Sequence, residues 1–310
     1  MDGRHPVRRD RRPRHHDRRA RGRWHRRRIR PSRRTRRDDN EIGDDPGRFG
    51  SGAVSDGVTL VVGAAHGIGQ ATAVTLSRRG HRLALLDRDG DGLRSAAALL
   101  DRSPLDTEVV DIRNSDAVTE SVRHIEDRHG PVTALAHVAG ILETGSILDA
   151  DPASWQRVFD VNVTGLVNVL RAVGIEMRQR RKGSIVVVGS NAAGVPRTGM
   201  GAYGASKAAV AMIVRVLGLE LAEYGIRANI VAPGSTDTAM QRSLWSDPAD
   251  DEGARAAIDG DLASFKVGIP LGRIADAADI ADSVEFLLSD RARHITMQAL
   301  YVDGGATLRA

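Results

Sequence analysis

A short apolar run, a turn with three glycines and a helical stretch follow one another between Val58 and Arg79. No other feature limits the possible folds as strongly. Val58–Gly63 is mostly apolar and ends on glycine, and Ile68–Arg79 carries its apolar residues at helical spacing. The turn between them, Gly63-Ala64-Ala65-His66-Gly67-Ile68-Gly69, has the form G-x3-G-x-G. Glycine lets the backbone turn tightly and lets a pyrophosphate approach the free N–H groups of a helix start. Three glycines alone would say little, because loops are glycine-rich. A strand before them and a helix after them point to a dinucleotide phosphate site.

The same alternation runs down the chain. Arg82–Asp87, Glu108–Ile112, Ala134–Val138, Ser184–Gly189 and Ala228–Val231 read as short strands, each followed by helix or loop. An Ala/Leu-rich helical stretch occupies about 92–101, and Asp151 followed by Pro152 marks a helix start. Short strands alternating with helices of 10–25 residues imply βαβ units. The expected fold is therefore α/β: a single-domain, doubly wound parallel sheet of about seven strands with helices on both faces. Asp87 closes the second strand. There a carboxylate accepts hydrogen bonds from the adenosine ribose and repels a 2′-phosphate, which favours NAD. Asp87 also fits a solvated turn in Asp87-Arg88-Asp89-Gly90, and Arg88 or His66 would attract a phosphate, so NADP stays open.

Charge divides the chain. Residues 1–37 hold 18 Arg, no Lys and three Asp, a formal balance of +15, while the other 273 residues balance at −10. The basic whole-chain average therefore describes the N-terminal stretch, and nucleic acid is not an expected partner of the folded part. Residues 1–53 show no apolar periodicity and are expected to be a disordered Arg-rich extension, with 54–310 as the folded domain. Two accounts of the extension stay open: a basic arm for nucleic acid or anionic lipid, or an upstream stretch of a GC-rich gene with Val54 as the true start. The second is favoured. The absence of cysteine excludes disulfides, thiolate nucleophiles and Cys-ligated zinc, and no metal site is expected. No membrane span or secretory signal is visible, so the expected location is cytoplasmic.

Chemistry is carried by Tyr203-Gly204-Ala205-Ser206-Lys207, which sets a phenol and an ammonium four apart on one helix face. The chain has three Tyr, and Lys only at 182, 207 and 266, so this spacing would arise by chance only about 3% of the time. Ser190 precedes Tyr203 at the end of a strand, and Asn162 lies in the helix before that strand. Lowering a phenol from 10 to about 7 requires roughly 4 kcal/mol. An ammonium at about 4 Å supplies a similar amount at an effective dielectric near 20. Lys207 is thus expected to lower the Tyr203 pKa and make it a general base on a substrate hydroxyl. Ser190 would hold the substrate oxygen, with Asn162 positioning a water or backbone group in the proton relay.

With Gly63, Gly67, Ile68, Gly69 and Pro233-Gly234, these residues resemble the short-chain dehydrogenase/reductase family over about residues 56–310. The resemblance implies a Rossmann-like fold and a nicotinamide cofactor. Asp111 and Ile112 would flank its adenine, Ala139 and Gly140 would line it, and Thr236 and Thr238 would hold the carboxamide. It also implies a homotetramer built through the long helices that start near Asp151 and Ala202. His137-Val138-Ala139-Gly140 departs from the family's Asn-x-Ala-Gly and puts the bracing role of that Asn in doubt.

Residues 196–200, 233–245, 265–272 and 294–296 are similar to one branch of the family, whose members oxidise 2,3-dihydro-2,3-dihydroxybenzoate to 2,3-dihydroxybenzoate in siderophore assembly. Arg197 and Arg242 would then hold the substrate carboxylate, and Met200 and Gln241 would form pocket wall. Two rivals remain. One is a family member acting on a 3-oxoacyl carrier, a sugar or another dihydrodiol. The other is an NAD-sensing regulator that binds nucleic acid through the basic arm.

Overall fold

A computed structural model of the chain describes residues 57–308; the expected disorder of residues 1–53 lies outside them. Seven parallel strands form one sheet: β1 (Val58–Val62), β2 (Arg82–Asp87), β3 (Asp106–Val109), β4 (Val132–His137), β5 (Ser184–Val188), β6 (Arg227–Pro233) and β7 (Ala299–Val302). Their order is β3-β2-β1-β4-β5-β6-β7. The direction of winding reverses between β1 and β4, where open α/β sheets place their ligands. β1 and β5 are buried along their whole length, as expected of central strands covered on both faces.

The faces carry separate cores. Leu60, Val62, Leu135 and Val187 pack toward α3 (Ser115–His129), α5 (Leu166–Arg180) and α6 (Gly201–Ala222), meeting Ile125, Val169, Val173, Val210 and Val214. Val61, Leu85, Ala136 and Val186 face the other way, toward α1 (Gly67–Arg78), α2 (Gly90–Ala98) and α9 (Ala277–Leu288), and meet Leu76, Leu93, Ile280, Val284 and Leu287. Each fully buried Leu, Ile or Val is worth about 1.5–3 kcal/mol over leaving it exposed. Three further helices lie near strand ends or in loops: α4 (Pro152–Phe159), α7 (Ala239–Arg242) and α8 (Glu252–Asp259).

The elements start as the sequence predicts at several points. The Asp151 side chain accepts from Ala153 N (3.1 Å), with Pro152 in the first turn. Two differences matter for the site. The third strand is Asp106–Val109 rather than Glu108–Ile112, because pairing with β2 ends at Asp87↔Val109. Val110 N still donates to Asp87 O (2.8 Å), but Asp111 then turns the chain, accepting from Asn114 N through its carbonyl (3.0 Å). Val110 and Ile112 are buried in a loop, so their apolar character mimicked strand.

The second difference is a π-helical segment, Asp160–Gly165, between α4 and α5. The run Pro152–Arg180 is the one helix among the described residues long and apolar enough to cross a membrane. Here Leu166, Val169, Val173 and Met177 bury it in the core.

Candidate active site

One cavity of about 830 Å³ runs along the C-terminal ends of the strands. At its β1 end the three glycines have separate reasons. Gly63 (φ 83°) and Gly67 (φ 51°) take left-handed conformations. A Cβ on Gly63 would lie 2.5 Å from Ala139 N, and one on Gly69 would lie 1.7 Å from Gly63 O. His66 gives α1 no side-chain cap, so the first-turn N–H groups are left for a ligand at the cavity wall. Ile68 lines the cavity beside them.

Asp87 reaches the cavity from the end of β2, where Ala65 N (3.0 Å) and Asp89 N (3.1 Å) hold its two oxygens. Asp89 also binds the His66 ring (2.7 Å), so His66 has a carboxylate partner already. Asp111 and Ile112 line the cavity further along. Arg113 grips Asp111 through Nε (3.0 Å) and holds its carboxyl below the usual range. Ala139 and Gly140 lie beyond β4, Pro233 ends β6, and Thr236 and Thr238 follow it. Thr238 caps α7, its Oγ1 accepting from Gln241 N (3.2 Å). These glycine cradles, the uncapped helix start and the acceptor-only Asp87 fit a nicotinamide dinucleotide.

Ser190, Tyr203 and Lys207 line the same cavity and all three are buried. Tyr203 and Lys207 lie one turn apart near the start of α6, and Ser190 lies just past the end of β5. Ser190 Oγ accepts from Ala192 N (3.1 Å) and pulls the Tyr203 phenol down. Lys207 Nζ donates to Val188 O (3.2 Å) and lies 5.7 Å from the centroid of the Tyr203 ring. Here the electrostatics depart from expectation. Burial pushes the Tyr203 phenol up, against the downward pull of Ser190. Burial also lowers the Lys207 ammonium to about 8. Desolvation of both partners, which Tyr-x3-Lys spacing does not reveal, dominates over the lysine's attraction in this geometry.

Asn162 is buried on the π-helical segment and does not line the cavity. Its Oδ1 accepts from Ile141 N (2.8 Å), and its Nδ2 donates to Ile141 O (2.9 Å) and Ser206 Oγ (3.0 Å). It therefore fixes the strand-end loop at Gly140, where an added Cβ would lie 3.2 Å from Asn162 Oδ1 and 3.4 Å from Lys207 Nζ. π-helical segments of this kind concentrate at functional sites, and this one aims the amide inward. Its hydrophobic spacing is that of ordinary helix, so nothing in the residue pattern marks it.

The four substrate candidates separate. Arg197, Met200 and Gln241 line the cavity. Arg197 forms no ion pair with another described residue; burial lowers its pKa and the Asp303 charge opposes this. Arg242 does not line the cavity. Asp237 holds it at Nε (2.6 Å) and Nη2 (2.8 Å), Asp251 lies 3.6 Å away, and its guanidinium sits over the Trp245 ring. Lys266 and Trp245 also border the cavity and were not singled out from sequence. Both lie in the 233–245 and 265–272 segments, whose resemblance was the available signal.

The family model described as enoyl-(acyl carrier protein) reductase matches residues 63–307. The chain is 49% identical over 253 residues to the 2,3-dihydro-2,3-dihydroxybenzoate dehydrogenase of Bacillus subtilis (strain 168), covering 81% of this chain and 96% of that protein. It is 43% identical to the vibriobactin-specific 2,3-dihydro-2,3-dihydroxybenzoate dehydrogenase of Vibrio cholerae (serotype O1, strain El Tor Inaba N16961), covering 80% and 95%. Among solved structures, levodione reductase superposes with a TM-score of 0.75 at 29% identity, over 82% of this chain and 99% of that one.

Proposed function

The chain belongs to the short-chain dehydrogenase/reductase family, and from that premise we propose that it oxidises 2,3-dihydro-2,3-dihydroxybenzoate to 2,3-dihydroxybenzoate in siderophore biosynthesis. One observation carries the reading. Tyr203, Ser190 and Lys207 share a cavity with Arg197, a guanidinium with no ion-pair partner among the described residues. A hydroxyl-bearing carboxylate needs both ends of that arrangement.

Bound nicotinamide dinucleotide supplies the hydride acceptor. Ser190 Oγ orients the C3 hydroxyl of the diol. Tyr203 Oη takes its proton as hydride leaves C3, and the resulting ketone tautomerises to the aromatic catechol. Lys207, charged below about pH 8, offsets part of the cost of burying the phenolate, and Asn162 is a positioning residue acting through Ile141 and Gly140. Arg197 holds the carboxylate, with Met200 and Gln241 as neighbouring wall. Arg242, committed to Asp237, is left out of that clamp.

NAD is the preferred dinucleotide in this reading. Asp87 is an acceptor-only group where a ribose hydroxyl would donate, and His66 is tied to Asp89. The stretch 54–310 acts as the catalytic unit, and copies associate as a homotetramer. The outward faces of α5 and α6 support association, since Ile175, Met212, Val216 and Leu219 are exposed there.

The test incubates the full-length chain with the diol and either NAD or NADP, following cofactor reduction and the fluorescent catechol. Rapid reduction of NAD that vanishes in Tyr203→Phe, with NAD binding kept, is the expected result. No turnover despite NAD binding would overturn the substrate and leave the family standing.

A further inference from the structure

β3 is an edge strand of the sheet. Asp106 and Glu108 stand two apart on it, so their side chains share one face. Ser121, His124 and Arg128 reach that face from α3. His124 Nε2 lies 3.8 Å from Asp106 Oδ2 and 3.8 Å from Glu108 Oε1. One oxygen or nitrogen from each of the three residues lies within 4.8 Å of the other two.

Partners on the outside hold these groups in place. Ser121 Oγ donates to Glu108 Oε2 (3.0 Å), which leaves Oε1 turned to His124. Thr107 N donates to Asp106 Oδ1 (3.0 Å), and His129 Nε2 lies 3.1 Å from Asp106 Oδ2. Outer hydrogen bonds of this kind orient metal ligands. A cation already stands at the cluster: Arg128 Nη1 lies 3.1 Å from His124 Nε2 and 3.4 Å from Asp106 Oδ2. A guanidinium only donates, so Nε2 turns its lone pair to that point. The Arg128 side chain is 58% exposed, and releasing it to solvent costs little.

We propose that Asp106, Glu108 and His124 bind a zinc ion in place of the Arg128 guanidinium, with water as the fourth ligand. One imidazole and two carboxylates form a ligand set that zinc accepts. Tetrahedral ligands at 2.0–2.1 Å stand about 3.3 Å apart, so the three groups close by roughly 1.5 Å or less. No metal was expected from the sequence, where cysteine is absent; here imidazole and carboxylate come together from two elements. The ion ties β3 to α3, the two elements that flank the turn carrying Asp111 and Ile112.

The test removes metal from the full-length chain with EDTA and titrates zinc chloride by calorimetry. Wild type is compared with Glu108→Gln, His124→Gln and Arg128→Ala. His5, His15, His16 and His25 offer other imidazoles, so the differences between proteins are what count. Glu108→Gln and His124→Gln are each expected to weaken one zinc site about 10-fold or more. Arg128→Ala is expected to tighten the same site about 3-fold, by removing the competing cation. Identical titrations of wild type and the two ligand variants would overturn the proposal. Zinc-edge anomalous diffraction from wild-type crystals soaked in zinc needs no variant to fold. A peak about 2.0–2.2 Å from Asp106 Oδ2, Glu108 Oε1 and His124 Nε2 is expected. Peaks only elsewhere, or none, overturn it.

Discussion

At the end of β4 an imidazole stands where the family resemblance leads one to expect an amide. His137 is 2% exposed, and neither ring nitrogen has a partner among the described residues. Burial, helped by the Lys207 charge, lowers its pKa from 6.5 to about 3. In the unfolded chain His137 takes up a proton near 6.5; in the native protein it does so only near 3. Between those values the unfolded state binds more protons, so stability falls as the pH drops from about 6.5 toward 3. Above 6.5 the group adds no pH dependence. His137→Asn is expected to flatten this acid loss, which denaturant melts between pH 4 and 8 would record. Parallel stability profiles for the two proteins would contradict it. The sequence showed that His137 was out of place. It did not show the missing partners, which depend on β1, β5 and α6 closing around the ring. Tyr203 and Lys207 teach the same lesson: their spacing was legible, but the direction in which each titrates followed from burial by residues distant in sequence.

Among the elements, the turn between β1 and α1 was the most legible because its geometry is local. The reason for its third glycine was not, since Gly69 meets the Gly63 carbonyl only once the turn has closed. Gly69→Ala is expected to lower stability by about 1–3 kcal/mol, the range for overpacking. It should also weaken NAD binding, because the turn must move to admit the methyl. Thermal melts and a cofactor titration would check both effects, and an unchanged affinity would mean the turn yields without losing its shape. Strand ends were less legible than strand cores. Val110 and Ile112 read as strand because burial selects apolar residues in loops too. β7, with the sequence Ala-Leu-Tyr-Val and mixed exposure, gave too short a pattern to be named in advance.

For the molecule as a whole, the proposed association would rest on the outward sides of α5 and α6. Leu219 is 68% exposed on α6, and a charge there would oppose any apolar contact between copies. Leu219→Glu is expected to reduce the mass measured by light scattering while a single copy keeps its fold, seen as an unchanged far-ultraviolet spectrum. A mass equal to that of the wild type would place the interface elsewhere. The two sides of the cavity also differ in how they are built. Ser190, Gly140 and Asp87 stand beside the ends of strands whose residues are largely buried. The opposite wall comes from α7, which buries no residue, and α8, which buries only Ala254. Substitutions on that wall disturb little of the core, whereas those at the strand ends disturb much of it. A lineage built this way can try new substrates at small risk to its folding while the proton-and-hydride chemistry stays fixed, so inherited change should gather between residues 239 and 268.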